Sequence, residues 1–342
     1  MVNKMGLIQY IFRRLLVLIP VMLGVLAITF ILTRLMPGDP VAALLPHNPT
    51  PEMIAAKQHE LGLDQPMIVQ FFKYFGDLFT GNWGVSFAIY PNAPVWDLIQ
   101  EVFPRTLDLA LLAVLFSSII GIKTGKISAV HRNKSQDTFF RGSALMGVAI
   151  PIFWMGLILQ FVFAHIFPIF PGSGYRAATA DDPTPITYFR VIDFIIYGRW
   201  DLLWDYILHL ALPAFCLTFI TIASITRQTR SSMLEVLQLD YIRTARAKGC
   251  AENVVIKKHA LKNALIPTIT VIGMNFAGLL GGAVLTEFTF NFYGMGMLLI
   301  MAIGQSDYFL VSGIIFVITI LFVIINLVVD IIYGIVDPRI RY

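Results

Sequence analysis

Six apolar runs dominate the sequence, and their lengths are close to what a helix needs to cross the roughly 30 Å hydrocarbon core of a lipid bilayer. They cover, in order, about residues 15–35, 107–122, 144–167, 206–226, 264–286 and 309–333. Because backbone in hydrocarbon must satisfy its own hydrogen bonds, such runs fold as α-helices. The sequence therefore predicts an all-α polytopic membrane protein with about six transmembrane helices, arranged as a single membrane domain over residues 1–342.

The amino-acid composition is typical of a protein embedded in a lipid bilayer. Hydrophobic residues make up 57% of the sequence and charged residues 13%, with a mean hydropathy of +0.75, and these values lie outside the range of soluble globular domains. The net charge of +4 can indicate a nucleic-acid partner, but here the Lys and Arg residues are spread over short loops instead of one basic domain. We therefore expect membrane lipid, and no nucleic acid, as a partner.

The distribution of positive charge orients the chain. Lys and Arg residues are concentrated before the first run, between the second and third, between the fourth and fifth, and at the C-terminus. These segments are cytosolic by the positive-inside rule. Both termini and a basic loop over 227–262 are then inside, and two long loops, 37–105 with short helices of its own and 168–205, are outside.

The first outer loop carries helix signals. Thr50 followed by Pro51 is typical of a helix start, and Gly62 is typical of a helix end. Over the next helical segment, Met67 to Phe79, the apolar residues form one stripe that includes Phe71 and Phe75. This stripe fits a helix that lies in the outer membrane interface, and it fits equally well a helix packed on the spans.

The basic loop has the features of a compact projection. Ser232 and Glu235 have the spacing of a capping box, which predicts a helix that starts there and ends at Gly249. A second short helix is predicted over Asn253 to His259, before the chain re-enters an apolar run. On these residues alone, an ordinary cytosolic loop whose Lys and Arg only set the topology is an equally good interpretation.

The segment from Asp240 to Pro267, DYIRTARAKGCAENVVIKKHALKNALIP, resembles the EAA loop of ABC-importer membrane subunits. It is most similar to the form found in the dipeptide, oligopeptide and nickel permease family, which reads close to DYIRTARAKG followed by HALRNALIP. Gly249 stands at the glycine of the general importer pattern, while Arg243 and Thr244 replace its glutamate and first alanine, as they do in this subfamily. By this resemblance the residues that couple the chain to ATPases are Asp240, Tyr241, Arg243, Thr244, Ala245, Arg246, Ala247, Lys248, Gly249 and His259.

The resemblance covers nearly the whole chain. Thr33 to Pro40 is similar to the signature after the family's first span, and Ile150 to Gly156 is similar to a block in its third span, where Pro151 is expected to bend the helix. It implies the transmembrane domain of a type I ABC importer in the cell membrane of a prokaryote. It also implies the partners, which are a second, related permease subunit, two cytosolic ABC ATPase subunits and an extracytoplasmic substrate-binding protein.

The same resemblance implies a permease that forms half of a translocation pathway for di- or oligopeptides. Nickel chelates, glutathione-like compounds and oligosaccharides are alternative substrates. A self-sufficient secondary transporter is an alternative class, although no coupling acid or internal repeat is evident in the sequence.

Catalytic patterns are absent from the sequence. It contains no HExxH, no GxSxG and no cluster with metal-ligand spacing, and Gly121 to Lys126 lacks the spacing of a phosphate loop. An intramembrane enzyme would need a nucleophile and a base, and neither is evident. We therefore expect no catalytic residue, metal or cofactor in this chain, and the partner subunits are expected to hydrolyse ATP.

Polar and small residues inside the apolar runs are candidates for the translocation pathway, because polar groups within a membrane usually face a cavity or a partner. The candidates are Gln160, Asn275, Gly278 and Glu287. Hydrogen bonds between helices are the alternative role for the polar ones. Gly273, Ala277 and Gly281 recur at helical spacing and predict close helix packing, either static or sliding during transport.

The charge asymmetry also predicts which side of the membrane each loop faces. Cysteines introduced at Asn133 and Asn253 should react with an impermeant thiol reagent only from the cytosolic side, and a cysteine replacing Ala180 should react only from outside. The measurement compares labelling of intact cells with labelling of inverted vesicles. Labelling at position 180 from the cytosol would contradict the arrangement of six spans.

Overall fold

The computed structural model of the protein describes residues 7–36, 41, 44–45, 48–177, 179 and 181–336. Helices make up the regular structure in this part of the chain, apart from one antiparallel bridge between Val85 and Pro94. The predicted all-α fold is therefore confirmed. Residues 37–40 of the family-like signature, position 180 and the predicted cytosolic ends 1–6 and 337–342 lie outside the described residues.

The helices alternate between long, apolar ones and short ones that connect them. In chain order they are α1 (Leu7–Leu35), α2 (Pro51–Leu61), α3 (Met67–Thr80), α4 (Val95–Val130), α5 (Ser135–Ala149), α6 (Ile152–Gln160), α7 (Arg190–Ile196), α8 (Trp200–Val236), α9 (Asp240–Ala247), α10 (Glu252–Val254), α11 (Leu261–Gly282), α12 (Val284–Thr289), α13 (Met295–Gly304) and α14 (Tyr308–Val336). Two π-helical segments extend them, Phe161–Ile166 after α6 and Val255–Ala260 between α10 and α11. The predicted signals of α2 are confirmed, because it starts after Thr50 and ends at Gly62, which has a φ of +70°.

Five helices among the described residues are long and apolar enough to cross a membrane. They lie in α1, in α4, in α8, in the segment Glu252–Gly281 and in α14. α5 and the segment Ile152–Ile166 make a sixth crossing if they are taken together, with a bend of 99° between them. The bend occurs where expected, because Pro151 disfavours helical backbone at the residue before it and Ile150 has an extended ψ of 124°.

α4 and α8 form the central pair of the bundle. They contain 36 and 37 residues, so each is about 54 Å long. This length exceeds the hydrocarbon core, and both helices extend beyond the apolar runs at 107–122 and 206–226 because their polar ends continue the helix. α5, α6, α7 and α11 all pack on α8.

Two glycines allow α4 and α8 to touch. A Cβ added to Gly121 would lie 2.7 Å from the Cγ2 atom of Ile225. One added to Gly125 would lie 2.6 Å from the Cβ atom of Thr229 and 2.7 Å from the carbonyl oxygen of Thr226. The spacing Gly-x-x-x-Gly in this segment therefore belongs to a close helix contact of the kind common in membranes.

The largest apolar cluster surrounds the central pair. Helices α4, α6, α7, α8 and α11 contribute to it, and its buried members include Leu109, Leu210, Leu217, Leu280 and Phe290. Lipid tails are as apolar as these side chains, so helix association depends on van der Waals packing between them. The core is therefore centred on α8.

A buried ion pair joins α4, α5 and α8 at the end of the bundle next to the basic loop. The side chain of Asp137 is 1% exposed, and its carboxylate accepts hydrogen bonds of 2.7 and 2.8 Å from the guanidinium of Arg230. It also accepts from the hydroxyl of Ser128 at 2.6 Å and from the amide of Asn133 at 3.0 Å. These charge-assisted bonds offset the desolvation of the carboxylate and fix the turn between α4 and α5.

α1 packs on α14 and α3 and leaves much of its apolar surface exposed. The aromatic stripe of α3 forms part of this contact. The ring centroid of Phe71 lies 5.5 Å from that of Phe30 in α1, and the centroid of Phe79 lies 5.2 Å from that of Phe316 in α14. Of the two interpretations of this stripe, packing on the spans is therefore the one observed.

The predicted helix start at Ser232 is wrong. α8 continues without interruption to Val236, and the hydroxyl of Ser232 accepts a hydrogen bond from the side chain of Gln228. The next helix, α9, begins at Asp240 after Leu239. The capping-box spacing is misleading here because it falls inside the last turns of a long helix, where charged residues give the sequence the composition of a loop.

The predicted close packing of the small face on α11 is observed against α14. A Cβ added to Gly273 would clash with Val329, Ala277 is 2% exposed, and a Cβ on Gly281 would have ordinary contact distances to α14. Gly278 differs, because no atom lies within 4 Å of a Cβ added there. The face of α11 that carries Gly273, Ala277 and Gly281 is therefore packed, while the position of Gly278 is open.

Gly125→Ala should destabilise the bundle, because its methyl group would lie too close to the backbone of α8. Overpacking of this kind typically costs about 1–3 kcal/mol, so we expect a lower midpoint of thermal unfolding for the purified protein in detergent. Gly24→Ala is the matched control, since Gly24 is also helical and no atom lies within 4 Å of an added Cβ. Equal midpoints for the two variants would show that this contact does not hold α4 to α8.

Candidate functional site

A small helical projection connects α8 to α11, and it contains the segment that resembles the EAA loop. It consists of α9, a turn over 248–251, α10 and the π-helical segment Val255–Ala260. We call residues 240–260 the EAA projection. Because the preceding and following helices are both membrane spans by length and composition, the projection is tied to the membrane at both ends.

One apolar face anchors the projection. Ile242 is fully buried and Ala245 is 9% exposed, and residues three apart lie on the same face of a helix. They belong to one cluster with Met233 and Val236 at the end of α8 and with Val255 of the π-helical segment. The opposite face of α9 is therefore left exposed.

Gly249 follows α9 in a left-handed conformation with a φ of +76°. Its amide donates to the carbonyl of Arg246 at 2.9 Å, and the amide of Cys250 donates to the carbonyl of Ala245 at 3.2 Å. These are the two bonds of a Schellman motif. No atom lies within 4 Å of a Cβ added to Gly249, so a side chain there would strain the backbone and point away from the interior of the projection.

Two polar contacts hold α9 against the two helices that follow it, α10 and α11. The hydroxyl of Tyr241 accepts from the side-chain amide of Asn263 at 2.8 Å and donates to the carbonyl of His259 at 3.4 Å. Arg246 donates two hydrogen bonds of 2.8 and 3.1 Å to Glu252, and this carboxylate raises the pKa of the Arg246 guanidinium. These hydrogen bonds join α9 to both of the helices that follow it.

The structure brings the predicted coupling residues together on this projection and divides them into two groups. Ala245 is buried and supports the helix, while His259 is half-buried and contributes its carbonyl to the contact with Tyr241. The exposed group consists of Asp240, Tyr241, Arg243, Thr244, Arg246, Ala247, Lys248 and Gly249. Contact between this group and an ATPase stays a prediction.

Glu287, one of the pathway candidates, is fully buried. Its carboxylate accepts from the hydroxyl of Thr106 at 2.6 Å and from the amide of Met297 at 3.0 Å. The Thr106 hydroxyl in turn accepts from the amide of Met295 at 2.7 Å, so both side chains bind free amides at the start of α13. A Cβ added to Gly294 would lie 2.6 Å from the carboxylate, which explains why glycine is required beside it.

Gln160 and Asn275 also form hydrogen bonds within the chain. The side chain of Gln160 donates to the carbonyl of Thr289 at 2.9 Å, and that of Asn275 donates to the hydroxyl of Ser224 at 2.8 Å. These contacts match the alternative role of the polar candidates, which is hydrogen bonding between helices. Gly278 is exposed on the open face of α11. A pathway role for these residues stays a prediction.

The acid that orders the segment before α4 is not predicted from the sequence. Asp307 is fully buried, and its carboxylate accepts from the hydroxyl of Ser86 at 2.6 Å and from the amides of Phe87 and Ala88 at 3.1 Å each. It also accepts from the amide of Leu310 at 3.3 Å and so caps α14. An Asp directly before an apolar run is a local signal for the cap, but the contact with a hydroxyl 221 residues away has no such signal.

The bundle of spans and the EAA projection between two of them define the membrane component of a transport system. The chain belongs to the family of membrane components of binding-protein-dependent transport systems. Residues 113–342 match the binding-protein-dependent transport system inner membrane component, and residues 7–110 match the N-terminal part of such membrane components. With its apolar helices, this membership makes the chain a multi-pass protein of the bacterial inner membrane.

Individual relatives match the chain over almost its full length. It is 43% identical over 336 residues to the dipeptide transport system permease protein DppB of Alkalihalophilus pseudofirmus. This alignment covers 98% of this chain and 100% of that protein. It is 43% identical over 337 residues to the di/tripeptide transport system permease protein DppB of Pseudomonas aeruginosa, with coverage of 98% and 99%. It is 37% identical over 337 residues to the oligopeptide transport system permease protein AppB of Bacillus subtilis, with coverage of 97% and 99%.

Ile242→Ala should loosen the projection, because truncating a fully buried Ile typically costs about 2–5 kcal/mol. We expect faster cleavage by trypsin after Arg243, Arg246 and Lys248 in the purified protein. Val254→Ala is the control, since the side chain of Val254 is 43% exposed. If Ile242→Ala is cleaved at the rate of the parent, the polar contacts alone hold α9 in place.

Proposed function

We propose that the chain is the permease subunit of an ATP-driven, binding-protein-dependent importer of di- or oligopeptides. It forms half of the translocation pathway beside a second, related permease subunit. Two cytosolic ATPase subunits supply the energy, and an extracytoplasmic binding protein delivers the substrate. The chain itself hydrolyses no ATP.

The construction of the EAA projection is the observation that carries this proposal. Its buried face fixes α9 to the end of α8, and its exposed face presents Arg243 and Lys248 with the backbone of Gly249 between α9 and α10. The positive-inside rule assigns this basic face to the cytosol. A compact surface that is anchored to two spans is suited to fit a groove on an ATPase and to follow its movement.

Movement of the projection reaches the membrane through α8 and α11. Met233 of α8 and Ala264 of α11 share the apolar cluster with Ile242, so a displacement of α9 pushes on both helices. α8 is continuous over 37 residues, and a continuous helix transmits such a displacement along its length. Closure of the ATPases therefore rocks α8 against its neighbours and exposes the pathway first to one side and then to the other.

The substrate class rests on the relatives. Their names give dipeptides, di/tripeptides and oligopeptides as the transported compounds, and each matches the chain at 37–43% identity over nearly its full length. Peptide specificity is therefore transferred to this chain as part of the proposal. Nickel chelates and oligosaccharides, the alternatives left open by the sequence, have no comparable support from these three relatives.

Gly249→Asp should weaken coupling between ATP hydrolysis and transport without preventing membrane insertion. A side chain in left-handed backbone costs roughly 1 kcal/mol, and this one would add volume and an anion to the face that carries Arg243, Arg246 and Lys248. Gly249→Ala should produce a smaller loss, since it adds only a methyl group. The measurement is co-purification of the ATPase subunits together with substrate-stimulated ATP hydrolysis by the assembled complex.

Gly81→Asp is the matched control for this experiment. Gly81 also follows a helix, has a φ of +80° and has no atom within 4 Å of an added Cβ, but it belongs to the first outer loop. It should carry the same backbone strain and leave ATPase binding unchanged. If Gly249→Asp assembles and hydrolyses ATP like the parent, the segment only sets topology and the coupling role is wrong.

A further inference from the structure

A wide cavity of about 500 Å³ lies between the N-terminal part of α4 and the loop that leads into α7. Four of its lining residues are charged, namely Asp97 and Glu101 on one side and Asp182 and Arg190 on the other. Both segments belong to the outer side by the distribution of positive charge. The cavity is therefore a wide, open depression with charged walls on the face from which a substrate arrives.

The two acids on α4 offer free carboxylate oxygens to a cation. Asp97 and Glu101 are four residues apart, so they lie on the same face of the helix. The side chain of Asp97 is exposed and has no hydrogen bond or ion pair with the residues that the structure describes. Glu101 is half exposed, and one of its oxygens accepts from Arg105 at 2.9 Å. Its second oxygen has no hydrogen-bond partner among the described residues, and Glu101 lines the cavity.

Arg105 holds Glu101 in position. The guanidinium of Arg105 is fully buried, lies 4.0 Å from the ring centroid of Tyr175 and donates to the carbonyl of Tyr293 at 2.9 Å. These contacts leave the arginine little freedom to move. The carboxylate that it binds is therefore fixed at the wall of the cavity.

The opposite wall contains a cation that is ion-paired but donates few hydrogen bonds. Arg190 is 6% exposed, and its Nε atom and one terminal nitrogen donate no hydrogen bond to any described residue. Its nearest acid is Asp182, with 3.4 Å between nitrogen and oxygen. A buried guanidinium with unused donors is unfavourable until an acceptor is supplied.

The loop that carries this wall is held in place before any ligand binds. Asp193 is fully buried and accepts from the amide and the hydroxyl of Thr187 at 2.8 and 2.7 Å. The hydroxyl of Tyr197 donates to the carbonyl of Thr184, another residue of the cavity wall, at 3.1 Å. Fixed walls reduce the entropy that a ligand would lose on binding.

From these facing charges we infer that the cavity is an outer subsite for the two charged ends of a short peptide. The α-ammonium group binds between Asp97 and Glu101, and the terminal carboxylate binds Arg190. This inference rests on the proposed function and names the groups of the substrate that the permease itself recognises.

Size and charge both favour a zwitterionic peptide as the ligand. Two extended residues span at most about 7 Å, which a cavity of this volume accommodates. No group of three acids, histidines or cysteines among the described residues is arranged to hold a metal ion. The two acids on α4 therefore suit an organic ammonium group, and the carboxylate end of the same molecule supplies Arg190 with a hydrogen-bond acceptor in addition to its ion pair with Asp182.

The first test uses the assembled importer without its binding protein, in lipid nanodiscs, with radiolabelled Ala-Ala as the probe. Unlabelled Ala-Ala should displace the probe. N-acetyl-Ala-Ala and Ala-Ala-amide should each need about tenfold higher concentrations or more, because each lacks one charged end and so loses a charge-assisted hydrogen bond. Absence of saturable binding, or equal displacement by all three peptides, overturns the proposal.

The second test uses the double variant Asp97→Asn with Glu101→Gln in proteoliposomes that contain the complete importer. Uptake of Ala-Ala should fall about tenfold, while ATP hydrolysis stimulated by the loaded binding protein stays at the level of the parent. Asp201→Asn is the control, since Asp201 is an exposed acid of the same side that pairs with Arg199 at 2.7 Å. Its uptake should be unchanged.

Each other outcome of the second test is also informative. Unchanged uptake by the double variant overturns the proposal. Loss of stimulated ATP hydrolysis together with uptake overturns it as well, because the two acids would then belong to the surface that docks the binding protein. If the parent importer assembles and hydrolyses ATP but takes up no Ala-Ala, the proposed function fails instead. A variant that does not assemble leaves the decision to the displacement experiment.

Discussion

Close contact between α4 and α8 is the interaction on which the rest of the structure depends. A bilayer provides no hydrophobic force between helices, so they must be held by close approach and by polar contacts. Gly121 and Gly125 provide the approach. At one end, Asp137 of α5 binds both Arg230 of α8 and Ser128 of α4, and so links the two helices through α5. Because α5, α6, α7 and α11 pack on α8, their positions follow from this contact.

Acidic residues have opposite uses at buried and exposed positions of this chain. Asp307 and Glu287 are fully buried, and each accepts hydrogen bonds from amides at the start of a helix. Their carboxylates are therefore already bound within the fold. Asp97 is exposed and has no such partner among the described residues. A membrane protein keeps its loops ordered with acids of the first kind, and only acids of the second kind remain available to a ligand.

The sequence predicts features that depend on local chemistry and fails on those that depend on distant contacts. The apolar runs, the bend at Pro151 and the helix end at Gly249 follow from transfer energy and backbone sterics, and the structure contains all three. The helix start at Ser232 is wrong, since a capping spacing also occurs inside a helix. The packing role of Gly125 has no local signal, because it depends on α8, about a hundred residues further along the chain.

The π-helical segment Val255–Ala260 sets the direction in which the EAA projection faces. Its bonds join residues five apart, as between the amide of Leu261 and the carbonyl of Ile256, so it contains one residue more than an α-helical turn. Each residue of an α-helix advances by about 100° around the axis. That single extra residue therefore acts as an angular offset between α11 and the EAA projection, and the orientation of the whole projection is encoded by the length of one turn.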